Sequence, residues 1–322
     1  MERDARIYVA GHTGLAGSAI LRELQRGGHT QLLTRRHAEL ELADARAVAD
    51  FFQREKPEYV FLAAAKVGGI LANETYPADF IRENLAVQIN VLHEAWRAGV
   101  QRLLFLGSSC IYPRDCPQPI KEEYLLNGPL EATNRAYALA KISGVEMCWS
   151  YNRQHGARFL AAMPTNLYGP GDHYDLKNSH VLPALIRKIH EAKQRGARKV
   201  TIWGSGRPRR EFLFSDDMAE ACVFLMRLPE VDFRRLVAPA NAPLINIGAG
   251  EDLSIAELAA LAGDVLGYRG EFVYDASKPD GTPRKLLDVS RLAALGWKPR
   301  IALREGIALA YQDFLRHHAV AA

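Results

Sequence analysis

Two residue groups in this chain have types and spacings that could do chemistry. Ser108, Ser109, Cys110 and Tyr112 stand in Leu106-Gly107-Ser108-Ser109-Cys110-Ile111-Tyr112-Pro113, just after the apolar run Leu103 to Leu106. Tyr137 and Lys141 follow, four residues apart, in Asn134-Arg135-Ala136-Tyr137-Ala138-Leu139-Ala140-Lys141. Residues i and i+4 share a helix face, so a helix here sets the ammonium beside the phenol. A cation favours phenolate and lowers a Tyr pKa from its ordinary value near ~10, which suits a proton donor working near neutral pH. A Ser hydroxyl from the neighbouring strand end then shares the same substrate oxygen. The same spacing also fits an amphipathic helix with a buried Tyr and a solvated Lys, so its surroundings decide.

The elements that would position these groups begin at residue 6. Arg6 to Ala10 reads as a short buried strand, followed at once by Gly11-His12-Thr13-Gly14-Leu15-Ala16-Gly17 and a helix from about Leu15 to Arg26. Glycines between a strand and a helix let the backbone turn tightly and approach a pyrophosphate, which the helix N-terminus attracts. The spacing is G-x-x-G-x-x-G rather than G-x-G-x-x-G. A second strand, Gln31 to Leu33, ends in Thr34, Arg35, Arg36 and His37. An NAD site usually places Asp or Glu at this point; two guanidiniums suit a 2′-phosphate instead, so the expected cofactor is NADP(H).

Further along, a helix at 45–54, a strand at 59–64, a helix near 78–98, a strand at 103–106, a helix near 137–155 and a strand at 159–163 alternate. That alternation predicts an α/β fold, a Rossmann-type doubly wound parallel sheet covered on both faces. The expected division is a cofactor domain over 1–165, with returning segments near 212–250, and a smaller substrate domain over 166–322. The second part is rich in turns and cations, with a helix expected over 183–195. The helices near 78–98 and 137–155 are also candidates for a homodimer contact.

Bulk properties exclude several classes. The 322 residues are 48% hydrophobic and 24% charged with a net charge of +4, ordinary for a globular protein and far from a nucleic-acid footprint. Apolar strand-like sequence begins at Ile7, so no signal peptide is expected, and no uncharged apolar run reaches the ~20 residues of a membrane helix. Cys110, Cys116, Cys148 and Cys222 have neither C-x-x-C nor zinc spacing. A reducing cytoplasm and no metal are therefore the expectation.

Taken together these segments resemble the extended short-chain dehydrogenase/reductases that act on nucleotide sugars, over nearly the whole chain. The resemblance rests on AGHTGLAGSAI, AAAKVGGI, LGSSCIYP, YALAK, MPTNLYGP, NSHVLPAL, WGSGRPRREFL and DASKPDGTPRKLLD. Cys110 with the NSH segment and SKPDGTPRK points within the family to GDP-sugar 3,5-epimerase-4-reductases. Such an enzyme exchanges protons at C3 and C5, which flank a C4 ketone, and then reduces that ketone with hydride from NADPH. The resemblance implies that Cys110 takes a proton and His180 supplies one. Both types fit, since a thiol is readily tuned to thiolate and imidazole titrates near neutrality. Tyr137 and Ser108 hold the enolate oxygen, and Lys141 lowers the Tyr137 pKa and holds a nicotinamide-ribose hydroxyl. It further implies cofactor contacts from the Gly11 to Gly17 loop, Arg35, Arg36, His37, Leu106, Gly107, Ser108, Ser109, Lys141, Pro164, Thr165, Asn166, Leu167 and His180. Lys188, Trp203, Arg210 and Asp280 match the positions used for the GDP-sugar.

The chain departs from the family at Thr13 and His37, where Arg is usual, and at Ala132-Thr133-Asn134-Arg135-Ala136-Tyr137, which lacks two customary prolines. The missing prolines are expected to loosen the loop before the helix. Rival readings are a sister GDP-sugar enzyme making colitose or a 6-deoxy-heptose, a 4-epimerase or 4,6-dehydratase, and a non-catalytic NADP sensor. A 4-epimerase has no need for a Cys/His exchange pair, a dehydratase would want a carboxylate pair at Ser109-Cys110, and a sensor has no use for Tyr137 and Lys141.

Overall fold

The computed structural model describes residues 1–176, 179–238, 240–278 and 280–317. Lys177 and Asn178 of the segment before His180, and Pro279 of the Lys278-Pro279-Asp280 run, lie outside the described residues. In chain order the first part is β1 (Ile7–Ala10), α1 (Leu15–Arg26), β2 (Leu32–Leu33), α2 (Ala45–Glu55), β3 (Tyr59–Leu62), α3 (Ile70–Thr75), α4 (Pro77–Arg97), β4 (Arg102–Leu106), α5 (Arg135–His155) and β5 (Phe159–Pro164). Then follow β6 (Asn166–Tyr168), α6 (Val181–Gln194), β7 (Lys199–Trp203), β8 (Arg209–Arg210), β9 (Phe212–Phe214), α7 (Ser215–Arg227), α8 (Glu230–Leu236) and β10 (Leu244–Ile247). The chain ends with β11 (Leu253–Ser254), α9 (Ile255–Leu266), β12 (Glu271–Asp275), β13 (Arg284–Lys285), α10 (Ser290–Ala294) and α11 (Leu303–His317).

Six strands form one sheet in the order β10-β5-β4-β3-β1-β2, parallel throughout. Side chains alternate along each strand, so Ile7 and Val9 join one hydrophobic cluster with α1 and α7 residues. Tyr8 and Ala10 join the other, with α2, α4 and α5 residues. Both faces are buried, which is why these strands read as unbroken apolar runs. The chain leaves β1 toward β2 on one side and returns through β3 to the other, so the strand order reverses at β1. A crevice opens at that point beyond the strand carboxyl ends. Helix α7 packs with α1 on one sheet face, and β10 pairs with β5 at the sheet edge.

A third cluster, built from β6, α6, β7, β9, α9 and α11 residues, lies in the later part of the chain. The helix expected over 183–195 is α6, which starts two residues earlier. The three-stranded sheet β11-β8-β13 was not expected from the sequence. Its strands are two residues each and carry no hydrophobic alternation.

Candidate active site

The first wall of the crevice is the glycine turn. Gly11 has φ +83, and a Cβ there would lie 2.7 Å from the Ala64 backbone just past β3. A Cβ on Gly17 would lie 2.1 Å from the Gly11 carbonyl oxygen. These two glycines are demanded by the turn itself. Gly14 differs, since its nearest neighbour would be 3.6 Å away. It is the N-cap of α1, without a side-chain cap and with no acidic residue in the first turn. Free amides and the dipole at that end suit a pyrophosphate, so the residues present fit a dinucleotide.

Of the residues the sequence singled out for the cofactor, Gly11, Thr13, Gly14, Leu15, Ala16, Gly17, Arg35 and His37 line one cleft of about 1590 Å³. Leu106, Gly107, Ser108, Ser109, Lys141, Pro164, Thr165, Asn166, Leu167 and His180 line it too. His12 and Arg36 instead line a small adjoining recess with Thr34, Arg35 and Glu39. The two guanidiniums are not equivalent. Arg35 pairs with Glu55 at 2.6 Å, donates to the Thr34 carbonyl at 2.7 Å and lies over the Phe51 ring. His37 pairs with Glu41 at 2.7 Å. Among the described residues, Arg36 is the side chain of this turn without a carboxylate partner.

Tyr137 and Lys141 sit on α5, and Ser108 follows β4. The Ser108 hydroxyl accepts from the Cys110 amide at 3.4 Å and caps the 3-10 turn Ser109–Ile111. That turn presents Cys110 to the cleft while keeping it 6% exposed. Lys141 is buried, and its Nζ donates to the Leu106 carbonyl at 2.8 Å. It lies 4.8 Å from the Phe105 ring centroid and 5.8 Å from that of Tyr137.

The expected lowering of the Tyr137 pKa is overturned. Burial pushes it well above the ordinary range and the Cys110 charge adds to this, with only the Ser108 hydroxyl opposing. Burial also pushes Lys141 down to about 8, against the attraction of Cys110. Desolvation of the phenol outweighs a cation that is hydrogen-bonded elsewhere. Tyr137 is therefore held as the protonated phenol.

The opposite wall comes from α6, β7, β8 and the segment up to β13. His180 is the N-cap residue of α6, and Lys188 lies eight residues on, along the same helix face; both line the cleft. His180 is exposed to the cleft yet surrounded by protein, and that enclosure, then the Lys285 charge, push its pKa down. Lys188 donates to the Thr201 carbonyl at 3.0 Å and lies 5.1 Å from the Trp203 ring centroid. Trp203 is 48% exposed, and Lys278 lies 5.6 Å from the same ring. Asp280 lines the cleft, but both its oxygens are used, accepting from the Ser205 amide and hydroxyl at 2.7 Å each. Arg210 is mostly buried, which pushes its pKa down against the charges of Glu131 and Asp280.

Sequence reasoning assigned no role to Glu131, Asn134, Thr282 or Lys285, all of which line the cleft. Glu131 accepts from Thr282 Oγ1 at 3.2 Å and Thr133 N at 3.4 Å, and pairs with Arg114 at 3.6 Å. These contacts tie the loop before α5 to the loop before β13, against the looseness expected from the missing prolines. Asn73, Asn134 and Ser179 also line this region, and among the described residues Asn73 Oδ1, Asn134 Oδ1 and Ser179 Oγ have no hydrogen-bond partner. The signal for Lys285 was present, because the segment Ser277 to Lys285 stood out as distinctive. The partner across from it, Arg210, becomes visible only in three dimensions.

Among the described residues no His, Cys, Asp and Glu cluster could hold a metal ion, and no helix is long and apolar enough to cross a membrane.

Residues 7–237 match the family described as NAD dependent epimerase/dehydratase. The chain is 53% identical over 312 residues, 97% of each chain, to GDP-L-fucose synthase of Escherichia coli (strain K12). It is 53% identical to GDP-L-fucose synthase 1 of Arabidopsis thaliana, covering 98% of this chain and 95% of that one. Among solved structures, a GDP-mannoheptose C4 reductase from Campylobacter jejuni with NADP bound is 41% identical with a TM-score of 0.89. The match covers 98% of this chain and 99% of that one.

Proposed function

The chain belongs to the NAD dependent epimerase/dehydratase family, and from that membership we propose that it converts GDP-4-keto-6-deoxy-D-mannose to GDP-L-fucose with NADPH. The relatives named above as GDP-L-fucose synthases support the substrate, and the reductase with NADP bound supports the cofactor. The observation that carries the reading is a single cleft lined by Ser108, Tyr137 and Lys141 together with Cys110 and His180. A reductase needs only the first three; the other two add proton exchange.

In the exchange stage a proton leaves C3 or C5 and its electron pair moves into the C4 carbonyl as an enolate. Ser108 and Tyr137 donate hydrogen bonds to that oxygen, the stabilisation an oxyanion needs. Cys110 takes the proton on one face once its thiol, which burial pushes up, has ionised, and His180 returns one on the other. When bound, NADPH supplies the hydride that reduces C4. Tyr137, which burial keeps protonated, then gives its proton to the O4 atom. Lys141 braces the Leu106 carbonyl and reaches the ribose hydroxyl.

The glycine turn cradles the pyrophosphate, and Arg36, with Thr13 and His37 nearby, meets the 2′-phosphate. Lys188, Trp203 and Arg210 take the GDP moiety, while Asp280 acts through Ser205 by fixing the loop that covers it. We place the enzyme in the cytoplasm, given four free thiols. We also propose a homodimer through α4 and α5, which leave Ile89 and Leu139 exposed.

The test is turnover of purified chain with NADPH and GDP-4-keto-6-deoxymannose, which should yield GDP-L-fucose. The 41% identical heptose reductase structure favours a second reading, a sister GDP-sugar reductase. No NADPH oxidation with the deoxymannose ketone, but turnover of a heptose analogue, would replace the first reading by the second.

A further inference from the structure

Strands β8 and β13 run parallel, with Arg209 opposite Arg284 and Arg210 opposite Lys285. Alternation turns the first pair to one side and the second to the other. The first pair shares Asp252, at 3.0 Å from Arg209 and 2.5 Å from Arg284. The second pair lines the cleft. Arg210 has Glu131 and Asp280 near it. Lys285 Nζ has no hydrogen-bond or ion-pair partner among the described residues, although protein surrounds it.

The titratable and charged groups facing Lys285 are Cys110, Arg210, Glu131 and Cys116, with His180 also within its field. Those facing Cys110 are Lys285, Lys141, the Ser108 hydroxyl and Tyr137. A thiol enclosed in protein resists ionisation unless a cation faces it. Of the two lysines near Cys110, Lys141 is hydrogen-bonded to the Leu106 carbonyl. Lys285 has no such partner.

We propose that Lys285 is a positioning residue for proton exchange: from the cleft side of β13 its unpaired charge offsets the enclosure that disfavours the Cys110 thiolate. The direction of each influence agrees. Burial pushes the Cys110 thiol up, and Lys285 is the strongest influence against that. The same charge disfavours imidazolium at His180, so a proton held there is readily given up. Lys285 thus drives both ends of the transfer in one direction, toward a thiolate that accepts and an imidazole that releases.

The role rests on the epimerase reading above, but its test needs no sugar. Alkylation of Cys110 by iodoacetamide, resolved by peptide mass spectrometry, gives its rate against pH in the full chain. In Lys285→Met the midpoint should rise by about 1 to 3 pH units, while Lys285→Arg should restore it to near the wild-type value. Arg284→Met, on the other strand face, should leave it unchanged. Thermal melts check folding, and Lys285→Gln replaces Lys285→Met if the latter does not fold. A midpoint unmoved in the neutral variants would overturn the proposal, as would an equal rise in Lys285→Arg, which would make the effect one of packing. If the coupling holds but wild-type protein exchanges no protons of the 4-keto sugar, the epimerase reading falls and the thiol–lysine pairing stands.

Discussion

The two faces of the β8/β13 pair carry nearly the same residues and do different things. On one face Arg209 and Arg284 converge on Asp252, and Arg209 also reaches Glu257 at 3.2 Å. Burial pushes the Asp252 carboxyl up, but Arg284 and Arg209 more than reverse this and hold it below the usual range. On the other face Arg210 and Lys285 meet the cleft without an ion pair among the described residues, because the nearby Glu131 and Asp280 are bonded to Thr282, Arg114 and Ser205 instead. Cations paired with carboxylates hold loops together, whereas a cation whose neighbouring acids are bonded elsewhere is available to an anionic ligand or a thiolate. Residue type alone separates none of these four positions; strand register does.

Substitutions on the two faces, and at the catalytic tyrosine, separate these roles. The largest effect is expected at a site that both stages need. Tyr137→Phe should cut C4 reduction by about 10²- to 10⁴-fold and solvent exchange at C3 and C5 by less, measured by NADPH oxidation and deuterium uptake. Equal loss of both would move Tyr137 from proton donor to general scaffold. Next comes Arg210→Met on the cleft face. Removal of a charged hydrogen-bond donor to the diphosphate should raise the KM for the GDP-sugar by roughly 10- to 100-fold, with kcat little changed. A fall in kcat at constant KM would contradict its assignment to binding.

The smallest effect belongs to the outer face. Arg284→Met should leave kcat/KM within about threefold and lower stability by about 1 kcal/mol or less. A carboxylate held low contributes stability above its unfolded pKa and loses it as pH falls through its folded pKa. Without Arg284, the Asp252 pKa moves back toward its ordinary value, so the stability this group adds above that value, and loses on acidification, should shrink and the acid limb should flatten. Melts across the acid range read this directly. An acid limb identical to wild type would show that Arg209 alone sets Asp252.

Much of the molecule was legible in the chain because its signals are local. Strand, glycines and helix at 6–26 lie within one turn of chain, as do Ser108 with Cys110 after β4 and Tyr137 with Lys141 on α5. Buried parallel strands announce themselves as apolar runs, which is why the sheet follows from alternation. What stayed hidden depends on partners far along the chain. Arg35 is paired with a residue 20 positions on, and Glu131 is bonded to Thr282, 151 positions on. The two-residue strands that set Lys285 beside Arg210 have no pattern to read. The sign of the Tyr137 pKa was missed for the same reason, since spacing shows the nearby Lys141 but not the burial that outweighs it.

On the function proposed above, one cleft exchanges protons before it reduces. NMR of the product formed from GDP-4-keto-6-deoxymannose and NADPH in D₂O tests it most directly. The predicted result is GDP-L-fucose carrying deuterium at C3 and C5, and loss of that label when Cys110 is replaced by Ser. A reduced sugar with protium at both carbons, or label that survives Cys110→Ser, would contradict it.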